Sequence, residues 1–172
     1  MRLTLPRIAF LLTALLFGLS LAHDAATLPE TVASHFDAAG RADGFLPLRA
    51  HLISFGGLGF GMSLFLIATC YSIRLFPPSA LNVPRADYWH QPGNHARACR
   101  FLFEHGFWIA AFNLLWLLLM HRELARANRL PVPHLAPGSL AALGWLYGAG
   151  LLAWIGTLAW FFWRGGKGEV KG

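Results

Sequence analysis

The stretch Leu140–Trp163 contains no charged side chain and is apolar or small throughout. At about 1.5 Å of rise per residue, its roughly two dozen residues outrun a hydrocarbon core about 30 Å thick. A run that long and clean reads as a transmembrane helix. The rest of the chain is therefore read with lipid as a solvent.

Composition agrees: 56% of residues are hydrophobic and only 13% are charged. The formal charge of +6 does not indicate a nucleic-acid partner, because the basic residues flank apolar runs instead of gathering on one polar segment. Cys70 and Cys99 are the only cysteines, and without a CxxC pair there is no zinc or redox motif.

Four apolar runs stand out, at 8–22, 52–73, 101–120 and 140–163. They predict an all-α integral membrane four-helix bundle forming a single membrane domain over 1–172, with a short ordered outer loop at 23–49 and an inner loop at 74–100. Orientation follows from Lys and Arg. With the N-terminus in the cytoplasm, the inner side holds Arg2, Arg7, Arg74, Arg85, Arg97, Arg100, Arg164, Lys167 and Lys171. The outer side holds Arg41, Arg49, Arg122, Arg126 and Arg129. Both termini are thus expected inside, in a bacterial inner membrane. The arginines at 122–129 are expected to extend the third helix and to snorkel to lipid phosphates. Both cysteines then fall on or near the reducing face, as thiols. The first run admits two readings: an uncleaved helix, or a removed signal peptide ending at Ser20-Leu21-Ala22. Either one leaves residue 23 outside.

Gly57/Gly61 and Gly144/Gly148 both have GxxxG spacing. Lipid gives helices no hydrophobic reason to associate, so small residues mark where backbones approach. They predict a helix–helix seam, within the chain or in a homodimer. Trp108, Trp145, Trp160, Trp163 and Tyr71 read as interface anchors, and Trp116 and Trp154 as packing residues inside the bundle. Pro77-Pro78 should stop the second helix, leaving Tyr88 and Trp89 at the lipid interface. In the outer loop, Thr27 and Glu30 have capping-box spacing, with Pro29 suited to a first turn. Asp37 to Gly40 and Asp43-Gly44 have turn chemistry, so a compact structured loop is expected.

The segment LPETVASHFDAAGRADGF resembles the short extracytoplasmic segment of a bacterial membrane-domain family of unknown function, a domain also found in SdpI-type immunity and signalling proteins. Leu28, Pro29, His35, Phe36, Asp37, Gly40, Asp43 and Gly44 occupy the places of that pattern. Asn82, Pro84, Tyr88 and Trp89 resemble a second element, which follows the second helix in some members. The resemblance covers about the first hundred residues. It implies an uncharacterised membrane protein or, through the SdpI-type members, protection against a secreted toxin and tethering of a repressor. The chain departs from those proteins in having four spans where they have more.

Three constellations could carry chemistry. His35, Asp37 and Asp43 form a candidate metal site in the outer loop, against the simpler reading of a hydrogen-bonded turn. His51 opens the second helix and His121 closes the third, at one depth, where two imidazoles could ligate a haem iron. Glu104-His105 sits at the inner entrance of the third helix, where Glu104 is expected to reach water or Arg100. No phosphate loop, nucleophile elbow or HExxH is present. The sequence is therefore read as a non-enzymatic membrane protein, a sensor or an accessory subunit of a membrane complex, with no cofactor expected. Its partners would be the lipid bilayer and a membrane protein or second copy, not nucleic acid. The alternatives are an SdpI-type immunity protein and a haem- or metal-carrying redox subunit.

Overall fold

The structure, a computed structural model, describes residues 3–165. The expected inner-side charges Arg2, Lys167 and Lys171 lie outside the described residues. Four helices are long and apolar enough to cross a membrane, giving a multi-pass, mostly α architecture. They are α1 (Leu5–Thr27), α2 (Leu48–Ser72), α4 (Pro92–Asn128) and α5 (Ser139–Arg164). Between α1 and α2 stands a hairpin of β1 (Thr31–Phe36) and β2 (Ala42–Pro47). A single-turn helix α3 (Ala86–Trp89) precedes α4.

Proline sets several of the helix boundaries. Proline within the first turn suits the starts of α1 and α4, since the missing N–H is one the helix would leave unpaired anyway. Leu28 precedes Pro29 and is extended (φ −88°, ψ 156°), because a residue before proline is pushed out of the helical region. That stops α1 at Thr27, five residues beyond the apolar run. The expected capping box does not form. The Thr27 hydroxyl donates to the His23 carbonyl at 3.0 Å, closing α1 instead of starting another helix. Phe76, extended ahead of Pro77, likewise ends the short 3-10 extension of α2.

The hub is α4. It has 37 residues, about 55 Å of helix, so it projects well beyond a bilayer core. It runs on to Asn128, in line with the extension expected through the arginines at 122–129, and also takes in 92–100, which the sequence assigned to the inner loop. In its apolar stretch 44% of residues are buried, against 11% in α1 and α2 and none in α5. Buried Ala98, Gly106, Ala110 and Ala111 keep its surface low, so α1 and α2 settle closely along it. A Cβ on Gly106 would sit 2.9 Å from Cβ of Cys70. In mid-bundle, Asn113 donates to the Ser63 hydroxyl (3.2 Å), which donates to the Ala110 carbonyl (3.3 Å). Such bonds hold helices together where apolar contact alone does not discriminate.

The seam drawn from the GxxxG spacings is not used inside the chain. A Cβ on Gly57, Gly61, Gly144 or Gly148 would meet nothing within 4 Å. Other glycines mark the close approaches. A Cβ on Gly59 would fall 2.4 Å from the Phe17 ring, and one on Gly150 would run into Phe112. Trp116 and Trp154 do sit between α4 and α5, donating to the carbonyls of Leu143 (2.8 Å) and His105 (3.2 Å). Trp145, Trp160 and Trp163 are exposed on α5, as anchors should be. Trp89 is not at the lipid interface. It is fully buried against Ala98, Leu102 and Phe162, and its indole N–H donates to the Phe162 carbonyl at 3.1 Å, locking α3 to the end of α5.

The ordered loop takes the form of the hairpin. β1 presents Val32, Ala33 and Phe36 inward, onto Leu124, Ala125 and Ala127 of the projecting end of α4. Asn128 acts as a surrogate strand partner. Its side-chain oxygen accepts from the Ala33 N–H at 2.6 Å, and its amide donates to the Ala33 carbonyl at 2.9 Å. The turn is Asp37–Arg41, with Gly40 at φ +80°, and Leu135 covers it through an N–H bond to the Gly40 carbonyl at 2.9 Å. Asp43-Gly44 is not a turn. It lies within β2 beside a register shift at His35, where a Cβ on Gly44 would sit 2.9 Å from that of His35.

Candidate functional site

Beneath the hairpin, where α1, α2 and α4 meet, lies a buried ionisable cluster. Asp24 comes from the last turn of α1 and is 3% exposed. His51 comes from the first turn of α2 (2%), and His121 from α4 (0%). Arg129, just past the end of α4, reaches back over them. Its guanidinium donates to Asp24 Oδ1 and, at 3.1 Å, to the Thr27 hydroxyl. His121 Nε2 is 2.9 Å from Asp24 Oδ2 but off the hydrogen-bonding direction, and neither ring nitrogen has a hydrogen-bond partner among the described residues. The His51 and His121 rings are 5.6 Å apart between centroids, with planes 29° from parallel. Phe55 packs on both, at 4.9 and 5.1 Å.

A buried carboxylate is tolerated only when paired and hydrogen-bonded. Asp24 meets that condition through Arg129, which spans from one side chain to a residue 105 positions away. The expectation that Arg129 snorkels to phosphate is therefore corrected: it turns inward to this carboxylate. Arg126 instead pairs with Glu123 at 3.1 Å along the helix.

The structure thus brings His51 and His121 together, as their shared depth predicted. Both rings are buried and packed against Phe55. Among the described residues, no three His, Cys, Asp or Glu side chains converge as metal ligands. The same applies to the outer-loop trio. His35 Nδ1 contacts Asp43 Oδ1 at 2.5 Å on the exposed face of the hairpin. Asp37 is committed elsewhere, accepting from the backbone N–H groups of Ala39 (2.8 Å) and Arg41 (2.9 Å) and from the Arg41 guanidinium (2.9 Å). The Arg41 backbone bond, with the other N–H donors and the guanidinium charge, holds the Asp37 carboxyl below the usual carboxylate range. Asp37 is the hydrogen bond acceptor that shapes the turn.

At the opposite end, Glu104 finds neither water alone nor Arg100. It accepts from Arg7 at 2.6 Å and from the Thr4 hydroxyl, pinning the start of α1 to α4. His105 shares a bond of 3.0 Å with Thr157 of α5. The sequence placed Asp24 in a loop, and so missed it as a site residue. The available signal was Ala25-Ala26-Thr27-Leu28 between Asp24 and Pro29, with no Gly, Asn or Ser to end the helix, which lets α1 continue and carry Asp24 inward.

The chain matches no protein-family model, no curated protein and no solved structure. The family that the hairpin motif resembles is accordingly not identified by any comparison.

Proposed function

We propose that this chain is a non-enzymatic sensor of the bacterial inner membrane, with both termini cytoplasmic and the hairpin in the periplasm. The observation that carries this reading is the buried Asp24–Arg129–His121 cluster directly under the hairpin. Ionisable groups inside a span are functional candidates because their burial is costly. Here they are also placed to transmit. Asn128 holds the hairpin, and Arg129, the next residue, holds α1. A load on the hairpin therefore acts on Asp24 through one step of backbone. The helix that ends at Asn128, one residue before Arg129, runs back along the bundle past the Arg7–Glu104 pair.

The test is to lock and release the hairpin. Asn128→Ala should raise amide hydrogen exchange in the hairpin and also around Glu104 and Arg7 at the far end. Exchange that rises only in the hairpin would refute transmission and leave a static cover. Purification in mild detergent separates the rivals. A Soret band would favour the redox-subunit reading, and a tightly associated membrane complex the accessory-subunit reading. Loss of toxin resistance on deletion would favour the SdpI-type role that the loop motif implies.

A further inference from the structure

Beside the cluster, α1 and α4 diverge to leave a groove of about 560 Å³, within the range of small-molecule sites. Its floor is Leu16, Leu19 and Leu118, and its upper wall is Ser20, His23, Arg122 and Arg126. Residues four apart share a helix face. On α4 that face passes from Leu118 to Arg122 to Arg126, and on α1 from Leu16 to Ser20, with His23 one turn beyond Leu19. Both walls therefore change from apolar to polar in the same direction, toward the hairpin. Leu16 and Leu19 are more than half exposed, so the floor opens to acyl chains.

The charges on the rim do not cancel. Glu123 is taken by Arg126 and Asp24 by Arg129. Arg122 has no acidic partner among the described residues, which leaves one guanidinium at the head of an apolar trough. We propose that this groove seats an anionic phospholipid, with the phosphodiester at Arg122 and the acyl chains along Leu16, Leu19 and Leu118. One uncompensated cation matches the single negative charge of a phosphodiester, and the graded walls match an amphiphile, not a free anion. The site does not rest on the sensor reading. A lipid can sit here whether or not the hairpin transmits anything.

The full chain in phosphatidylcholine nanodiscs, doped with a photoactivatable phosphatidylglycerol, provides the test. Crosslinks should concentrate on residues 16–23 and 118–126, and exceed those from a photoactivatable phosphatidylcholine. Arg122→Gln should weaken labelling roughly fivefold, the effect of about one cation near a charged lipid surface. Arg49→Gln, an exposed arginine at the same end but outside the groove, should leave it unchanged. Leu16→Trp should lower labelling by filling the floor with Arg122 intact. Labelling equal in the Arg122 variant, equal for both lipids, or spread over all lipid-facing helices would overturn the proposal. Displacement by millimolar inorganic phosphate would overturn the lipid and assign the site to a soluble anion.

Discussion

Asp24 carries a charge into a place where few side chains could hold one. Its two oxygens face a guanidinium and an imidazole, and the carboxylate itself is almost fully buried. Asp24→Ala should therefore lower stability by about 3 kcal/mol. That is the low end for breaking a buried ion pair, because Arg129, 42% exposed, can turn to solvent once released. Asp24→Asn should cost less, since an amide oxygen still accepts from Arg129. Thermal unfolding in detergent measures both, and an alanine variant as stable as the native chain would remove the cluster from any structural account. The histidines of this cluster were legible in the sequence, because a residue opening one span and a residue closing the next antiparallel span share a depth. Asp24 was not, because hydropathy ends a helix where apolar residues end, whereas the chain ends it where proline forces the backbone out. Arg129 was hidden for a related reason: its partner is distant in sequence, and only tertiary packing shows that it faces inward.

At the scale of elements, the apolar runs located every long helix but underestimated their lengths. The largest excess lies in α4, whose projecting turns pack against the hairpin they carry. The hairpin itself was legible only as order. Its inward residues, Val32, Ala33 and Phe36, break the strict alternation that announces a strand, because β1 shifts register at Ser34–His35. The glycines were misleading for a physical reason. GxxxG spacing reports that backbones could approach, not which face of the helix is turned to a neighbour. Gly57 and Gly61 look outward, while Gly59, two residues from each, receives Phe17. This yields a paired test. Gly59→Ala drives a methyl group into a ring that is fully buried and cannot swing away, so it should destabilise by about 1–3 kcal/mol, as overpacking does. Gly57→Ala meets open space and should be neutral or slightly stabilising, since alanine is the better helix former. Equal unfolding midpoints for the two variants would mean that α1 and α2 do not approach at Gly59.

Across the whole molecule the two ends are chemically unlike. One end carries the hairpin, the acidic residues Asp24, Glu30, Asp37, Asp43 and Glu123, and five arginines, of which Arg41, Arg126 and Arg129 are paired with acids. The other end carries six arginines among the described residues: Arg7, Arg74, Arg97 and Arg164, packed as cations over aromatic rings, with Arg85 ahead of α3 and Arg100 in α4. Cations retained on the cytoplasmic side set orientation, whereas acids contribute little, so the second end should face the cytoplasm and the hairpin the periplasm. The prediction can be read directly. Ala39 at the hairpin turn and Ser79 between α2 and α3 are both exposed, and they lie at opposite ends of the bundle. With Cys70 and Cys99 replaced, Ala39→Cys should react with a membrane-impermeant maleimide in intact cells. Ser79→Cys should react only after permeabilisation. The reverse pattern would invert the map and place the Asp24 cluster and its groove in the cytoplasmic half of the bilayer. The residue contacts would be unchanged, but the compartment that the hairpin faces would be the other one.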